Sequence, residues 1–99
     1  MIVYRLMCKE EADGICENFP LSWNSKFKWF TDNIHFLERV ADGKFNNSHS
    51  TKKYTHLAKY LVKFPDYLQR VSTHELMLNR HAAPKAQFQL ISLMEAQNG

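Results

Sequence analysis

The chain has 99 residues, of which 44% are hydrophobic and 13% aromatic. That is enough apolar material for one small core and too little for two, so we expect a single domain over residues 1–99. Three glycines and three prolines argue against linkers and low-complexity segments. The net charge of +3 is mild, so the placement of the charges matters more than their sum.

No apolar run approaches the roughly 20 residues that a membrane span needs. The first residues lack a basic segment followed by an apolar stretch, so we expect no secretion signal. Cys8 and Cys16 are too few for a disulfide scaffold and match no paired metal spacing. These features predict a reduced, cytoplasmic protein that does not enter a membrane and holds no metal.

The start of the chain predicts a strand followed by a helix. Residues 2–7 alternate between two faces, as a strand does. Residues 9–18 then change to helical spacing. Gly14 weakens this helix and Pro20 ends it.

An aromatic strand and a second helix come next. Residues 21–31 alternate as one bent strand or a hairpin. Thr31 or Asp32 is suited to cap the helix that follows, which ends at Asp42-Gly43. The polar residues 44–53 are typical of a loop.

The second half of the chain predicts three strands and a short helix. Residues 54–64 form the longest strand pattern, and Pro65 begins a short helix. Residues 74–79 and 88–94 are strand-like, with a turn at Pro84 between them. The predicted order is β-α-β-α-β-α-β-β, which indicates a compact α+β domain with short helices. Amphipathic strands disfavour a wholly parallel sheet.

One stretch carries cations without acids. Five lysines lie between Gly43 and Pro65, namely Lys44, Lys52, Lys53, Lys59 and Lys63. We expect segment 44–63 either to attract a phosphate-bearing ligand, a nucleic acid or an acidic protein, or to be a solvated loop and strand edge.

Three polar side chains interrupt stretches that are otherwise typical of core strands. Arg5 is suited to clamp a phosphate or ribose, or to form an ion pair, for instance with Glu75. Glu75 can accept a hydrogen bond from a ribose hydroxyl and stabilise developing positive charge, or be an ordinary strand-edge residue. Thr31 is either a ligand contact or a helix cap.

These residues belong to three segments whose order follows a wider pattern. The segments are Val3-Tyr4-Arg5-Leu6, Lys28-Trp29-Phe30-Thr31 and Glu75-Leu-Met-Leu-Asn-Arg-His-Ala-Ala-Pro84. Their order resembles the ADP-ribosyltransferase superfamily, a split-sheet fold of bacterial toxins and phage transferases. That family uses an Arg or His on its first strand, a Ser, Thr or Tyr before a helix, and a Glu on a later strand.

The resemblance implies a split mixed or antiparallel sheet and an NAD-dependent mono-ADP-ribosyltransferase of toxin or phage host-takeover type. It implies catalytic roles for Arg5, Thr31 and Glu75, with Glu75 on the ribose 2′-hydroxyl. It also implies contacts to NAD from Arg5, Tyr4, Trp29, Phe30 and Thr31. The acceptor is then a protein or a nucleic acid, guided by the lysine-rich segment 44–63. Thr73 stands where many arginine-modifying members have a second Glu or Gln, which argues against arginine as the acceptor.

Two other functions remain open from the sequence. His56, His74 and His81 are suited to acid–base work in a small basic ribonuclease of toxin type. A compact, mildly basic α+β protein can also be a non-enzymatic inhibitor or adaptor that binds one partner protein. The aromatic residues around Trp23 to Phe30 suit stacking with single-stranded nucleic acid, although alternating spacing is more often core.

Overall fold

The computed structural model describes residues 1–23, 25–41 and 54–95. These residues form six strands, three short helices and one 3-10 turn. In chain order they are β1 (Ile2–Met7), α1 (Lys9–Asp13), β2 (Phe27–Phe30), α2 (Ile34–Ala41), β3 (His56–Val62), the 3-10 turn (Pro65–Tyr67), β4 (Gln69–Arg70), β5 (Leu76–Asn79), α3 (Ala83–Ala86) and β6 (Phe88–Glu95). The predicted α+β class is therefore confirmed.

The strands form two antiparallel sheets of three strands each. Sheet A has the order β1-β3-β6, and sheet B has the order β2-β5-β4. An isolated bridge between Tyr4 and Thr31 connects β1 to the end of β2. When the two sheets are followed continuously through this bridge, the strand order is β4-β5-β2-β1-β3-β6, with a break between β2 and β1.

The core lies between the two sheets and draws on both. Phe30 of sheet B packs against Tyr60 and Phe88 of sheet A, with ring centroids 5.8 and 5.0 Å apart. Tyr60 and Phe88 are 5.5 Å apart, so the three rings contact one another. Burying rings of this size removes a large apolar area from water, which is the main favourable term in folding.

The first helix is shorter than the predicted span of 9–18. It ends at Gly14 because the following segment folds back against it, and a Cβ at Gly14 would lie 3.1 Å from the Ser22 Oγ. This segment is fastened to sheet A by the buried Tyr60, whose hydroxyl donates to the Pro20 carbonyl at 2.6 Å. Pro20 therefore anchors the segment instead of ending the helix.

Two further predictions differ from the structure. The short helix after Pro65 is a single 3-10 turn, and the two-residue strand β4 follows it. Of the described residues in the predicted span 21–31, which are 21–23 and 25–31, only Phe27–Phe30 form a strand. The turn at Pro84 is confirmed in a tighter form, as the one-turn helix α3.

No helix in the described ranges is long and apolar enough to cross a membrane. The predicted helix end at Asp42-Gly43 and the loop 44–53 lie outside the described residues. Of the lysine-rich segment, Lys59 lies on β3 and Lys63 follows that strand.

Candidate functional site

Arg5 holds a carboxylate of the helix that follows its own strand. Its Nε and Nη2 donate to the two oxygens of Glu11 at 2.7 and 2.8 Å, which is the bidentate geometry that a guanidinium favours. Its Nη1 donates to the Trp29 carbonyl at 2.9 Å. Arg5 therefore ties α1 and β2 to β1, and its ion-pair partner is Glu11, not Glu75.

The same carboxylate binds a second, buried cation. Lys28 is 1% exposed, and its Nζ lies 3.0 Å from Glu11 Oε2 and 5.5 Å from the centre of the Trp23 ring. Burial and the charge of Arg5 lower the pKa of Lys28 although Glu11 acts to raise it. Burial alone would raise the pKa of Glu11, but Arg5 and Lys28 together lower it. Glu11 is thus a carboxylate shared by two basic side chains, one of which is buried.

Thr31 is buried and its hydroxyl is used locally. The Thr31 Oγ1 accepts from the Asn33 backbone N–H at 3.1 Å and lies 3.3 Å from the Asn33 carbonyl. The cap of α2 is Asn33, whose Oδ1 accepts from the His35 backbone N–H at 3.0 Å. Thr31 therefore shapes the turn before the helix, while Asn33 caps the helix itself.

Glu75 lies one residue before β5, in the turn that joins β4 to β5. Its carbonyl accepts from the Val71 and Ser72 backbone N–H groups at 2.9 and 3.3 Å. Phe30 pairs with Leu76, so continuing the β2–β5 register by one residue places Thr31 across from Glu75. The Glu75 side chain is half-buried, and none of the described residues pairs with its carboxylate.

Two polar contacts hold this turn against the start of α2. Arg70 Nη2 pairs with Asp32 Oδ2 at 2.7 Å, and Arg70 Nη1 donates to the Thr73 carbonyl at 2.8 Å. His74 Nδ1 lies 3.5 Å from Asn33 Nδ2. The contacts of Arg70 and His74 therefore hold the turn that carries Glu75 against the residues that precede α2.

The aromatic residues predicted to contact NAD differ in accessibility. Phe30 is 3% exposed and belongs to the core, whereas Trp29 is 48% exposed. Tyr4 is half-buried and pairs with Thr31 through its backbone. Of the two rings predicted to line a nicotinamide pocket, only that of Trp29 is therefore open to a ligand.

The three predicted catalytic residues come from neighbouring strands but do not share one face. Arg5 contacts the buried Lys28 cluster and lies 5.9 Å from the centre of the Phe30 ring, on the core side of the sheets. Because side chains alternate along a strand, Thr31 and Glu75 occupy the opposite side of sheet B. Thr31 and Glu75 thus lie at the same end of sheet B, and Arg5 lies on its core side.

Two shallow depressions in the described surface lie elsewhere. One lies between β3 and β6 beside Met1, and the other lies at the far end of sheet B, beside Phe27 and Arg80. Neither is lined by Arg5, Thr31 or Glu75. These two depressions are therefore not part of the predicted catalytic site.

The histidines proposed for acid–base work lie apart. His56 begins β3, whereas His74 and His81 lie at opposite ends of β5. In residues 1–23, 25–41 and 54–95 there is no group of three or more His, Cys, Asp or Glu that could hold a metal ion.

Glu11 and Lys28 were not singled out from the sequence. The signal for Lys28 was its spacing. It lies two residues before Phe30 on the same strand, so the two side chains project to the same side of the sheet. The signal for Glu11 was its position six residues after Arg5, in the first turn of the helix that follows.

Comparison with family models, curated proteins and solved structures returned no match to this chain.

Proposed function

We propose that this protein is an NAD-dependent mono-ADP-ribosyltransferase-like protein whose central residue is Glu75. The observation that carries the proposal is the order of three strands at the break between the sheets. β1, β2 and β5 are consecutive neighbours there, with Arg5 on the core side of β1, Thr31 directly after β2 and Glu75 directly before β5. The sequence resemblance implies a split sheet, and a strand order that is broken between β1 and β2 supports the proposal.

The accessible residues at this junction suit the nicotinamide riboside part of NAD. Glu75 offers a half-buried carboxylate with no partner among the described residues. Trp29, two residues before Thr31 on the same side of sheet B, offers an exposed indole for a flat ring. When bound, NAD would supply an ADP-ribosyl group. The bond between ribose C1′ and nicotinamide breaks and its electron pair leaves with nicotinamide. An acceptor nucleophile that gives up a proton forms the new bond to C1′.

Glu75 is the residue assigned to the chemistry. A carboxylate in this position accepts a hydrogen bond from a ribose hydroxyl and stabilises positive charge that develops on the ribose. Arg5 and Thr31 are assigned positioning roles, because their polar groups are already engaged by Glu11 and Asn33. Arg5 holds the Trp29 carbonyl, and Thr31 sets the turn that faces Glu75.

The experiment is release of nicotinamide from NAD by purified protein, compared between the native chain and Glu75→Gln. The amide keeps the shape of the side chain and removes its charge, so we expect turnover to fall by about a hundredfold or more. Glu95→Gln, on the exposed end of β6, is the matched control and is expected to turn over NAD at the native rate. Equal rates for native protein and Glu75→Gln would refute the role of Glu75.

A non-enzymatic binding protein is the second candidate. The observation that favours it is that the polar groups of Arg5 and Thr31 find partners inside the protein, as they would in a fold kept without catalysis. This candidate predicts one stable partner in a pull-down, retained unchanged by Glu75→Gln. Nicotinamide release that depends on Glu75 would exclude it as the sole function.

A further inference from the structure

The outer side of sheet B exposes aromatic rings. Phe27 and Trp29 are 41% and 48% exposed, whereas Lys28 and Phe30, between and beyond them, are buried. The usual arrangement places aromatic rings inside and lysine outside. Exposed rings that adjoin one another and are bordered by polar residues are common in interaction surfaces.

The two rings project from one side of β2. They are two residues apart, which is about 6.6 Å along a strand, and both project to the same side. Their cross-strand partners are Asn79 for Phe27 and Met77 for Trp29. A sheet face that carries aromatic rings in this way is the means by which several small folds stack unpaired bases.

Cations gather at one end of this side of sheet B. The shallow depression beside Phe27 is lined by Lys26, Asn79, Arg80 and His81. The Arg80 backbone N–H donates to the Lys26 carbonyl at 2.9 Å, so the two basic side chains come from paired strand ends. No carboxylate of the described residues pairs with the side chain of Lys26 or Arg80.

We propose that this basic–aromatic end of sheet B, formed by Lys26, Phe27, Arg80 and His81, binds single-stranded nucleic acid. A base stacks on Phe27 and the phosphates lie against Lys26 and Arg80. The nucleic acid then extends along β2 past Trp29 towards Glu75. An acidic peptide would satisfy the cations but would leave the flat ring without a matching surface, so a nucleic acid fits the site better.

The part of this inference that identifies the acceptor rests on the proposed function. An oxygen or nitrogen of the bound nucleic acid forms the bond to ribose C1′ that nicotinamide gives up, and its proton passes to solvent. The binding itself does not require NAD. It can therefore be measured on the protein alone.

The test is fluorescence anisotropy of a labelled oligouridine of about ten nucleotides, near the size of one such binding site, in low salt. We expect Phe27→Ala to weaken binding about tenfold, since the loss of one base–aromatic stacking contact reduces affinity by about that factor. Tyr67→Ala, which removes a ring that is 46% exposed elsewhere, is the matched control and is expected to bind as the native chain does. Lys26→Ala and Arg80→Ala are expected to reduce the slope of affinity against salt concentration.

Circular dichroism establishes that each variant is folded before its affinity is read. Absence of oligouridine binding in low salt, or equal affinity of native protein and Phe27→Ala, would overturn the inference. An equal loss in Tyr67→Ala would do the same, because it would show nonspecific binding.

The two proposals can be refuted independently of each other. Glu75→Gln is expected to bind oligouridine at least as tightly as the native chain, since Glu75 is not among the residues that form the site and a carboxylate does not attract phosphate. Glu75-dependent turnover of NAD by a protein that does not bind oligouridine would refute the nucleic-acid site and leave the proposed function standing. Oligouridine binding by a protein that does not turn over NAD would refute the proposed function and leave the site standing. If label from NAD appears only on protein while oligouridine is present, the assignment of a nucleic acid as the acceptor is refuted.

Discussion

Tyr4 and Thr31 exchange two backbone hydrogen bonds, of 2.8 and 2.9 Å, and so join sheet A to sheet B. The joint is one residue pair long, with Arg5 directly after Tyr4 and the turn to α2 directly after Thr31. The strands on either side diverge into separate sheets. Arg5 and Thr31, to which positioning roles are assigned, therefore lie at the joint between the two sheets.

Loss of the Glu11 carboxylate should destabilise the protein strongly. Glu11→Ala leaves Arg5 and the buried Lys28 without their shared counter-charge, so we expect the free energy of unfolding to fall by about 3–5 kcal/mol. Urea denaturation measures the change. Glu10→Ala, an exposed neighbour on the same helix, is the control and should change stability by less than about 0.5 kcal/mol. Similar losses in both variants would contradict the buried cluster.

Removing the charge of Lys28 should have a much smaller effect. Burial and the charge of Arg5 together outweigh the attraction of Glu11 and lower the pKa of Lys28, and Arg5 still neutralises Glu11 when the charge of Lys28 is absent. Lys28→Met keeps a long flexible side chain, so we expect stability within about 1 kcal/mol of native or higher. A loss above about 3 kcal/mol in the same urea titration would show instead that the Lys28–Glu11 pair is a net stabiliser.

Stability should fall in acid through Glu11. Because the pKa of Glu11 is lowered in the folded state, the unfolded chain takes up the proton first as the pH drops. The contribution is therefore complete above the ordinary value of 4.5 and is lost as the pH falls below it through the folded pKa. Urea midpoints between neutral pH and pH 3 measure this, and Glu11→Gln should show a shallower decline. An unchanged decline would assign the acid sensitivity to other groups.

The segment between α1 and β2 should depend on one hydroxyl. Tyr60→Phe keeps the ring in the core but removes the donor to the Pro20 carbonyl, so we expect a loss of about 1 kcal/mol. Thermal unfolding measures it. Tyr67→Phe, on an exposed ring, is the control and should leave the melting temperature unchanged.

Regular alternation made part of this fold predictable from sequence. The first strand was predicted at 2–7 and lies at Ile2–Met7, because its alternation is uninterrupted. β4 was missed because two residues are too few to show a period. The helix 9–18 was overestimated because the fold-back of Ser22 onto Gly14 is a tertiary contact that local spacing does not record.

The candidate site was predictable only in part. Arg5, Thr31 and Glu75 were singled out as polar residues within apolar stretches, and their strands are indeed neighbours. Which side of β2 is buried was not predictable, since alternation gives both sides aromatic residues. Lys28 is inside and Trp29 outside because Glu11 compensates the lysine, and that pairing depends on how α1 packs.

The most direct test of the central claim is isothermal titration calorimetry of NAD into the purified protein. The account predicts saturable binding at one site per chain. Binding should weaken in Glu75→Gln, which loses the carboxylate that accepts from the ribose hydroxyl, and should remain native in Glu95→Gln. No heat of binding with the native chain, or equal affinity for native protein and Glu75→Gln, would contradict the account.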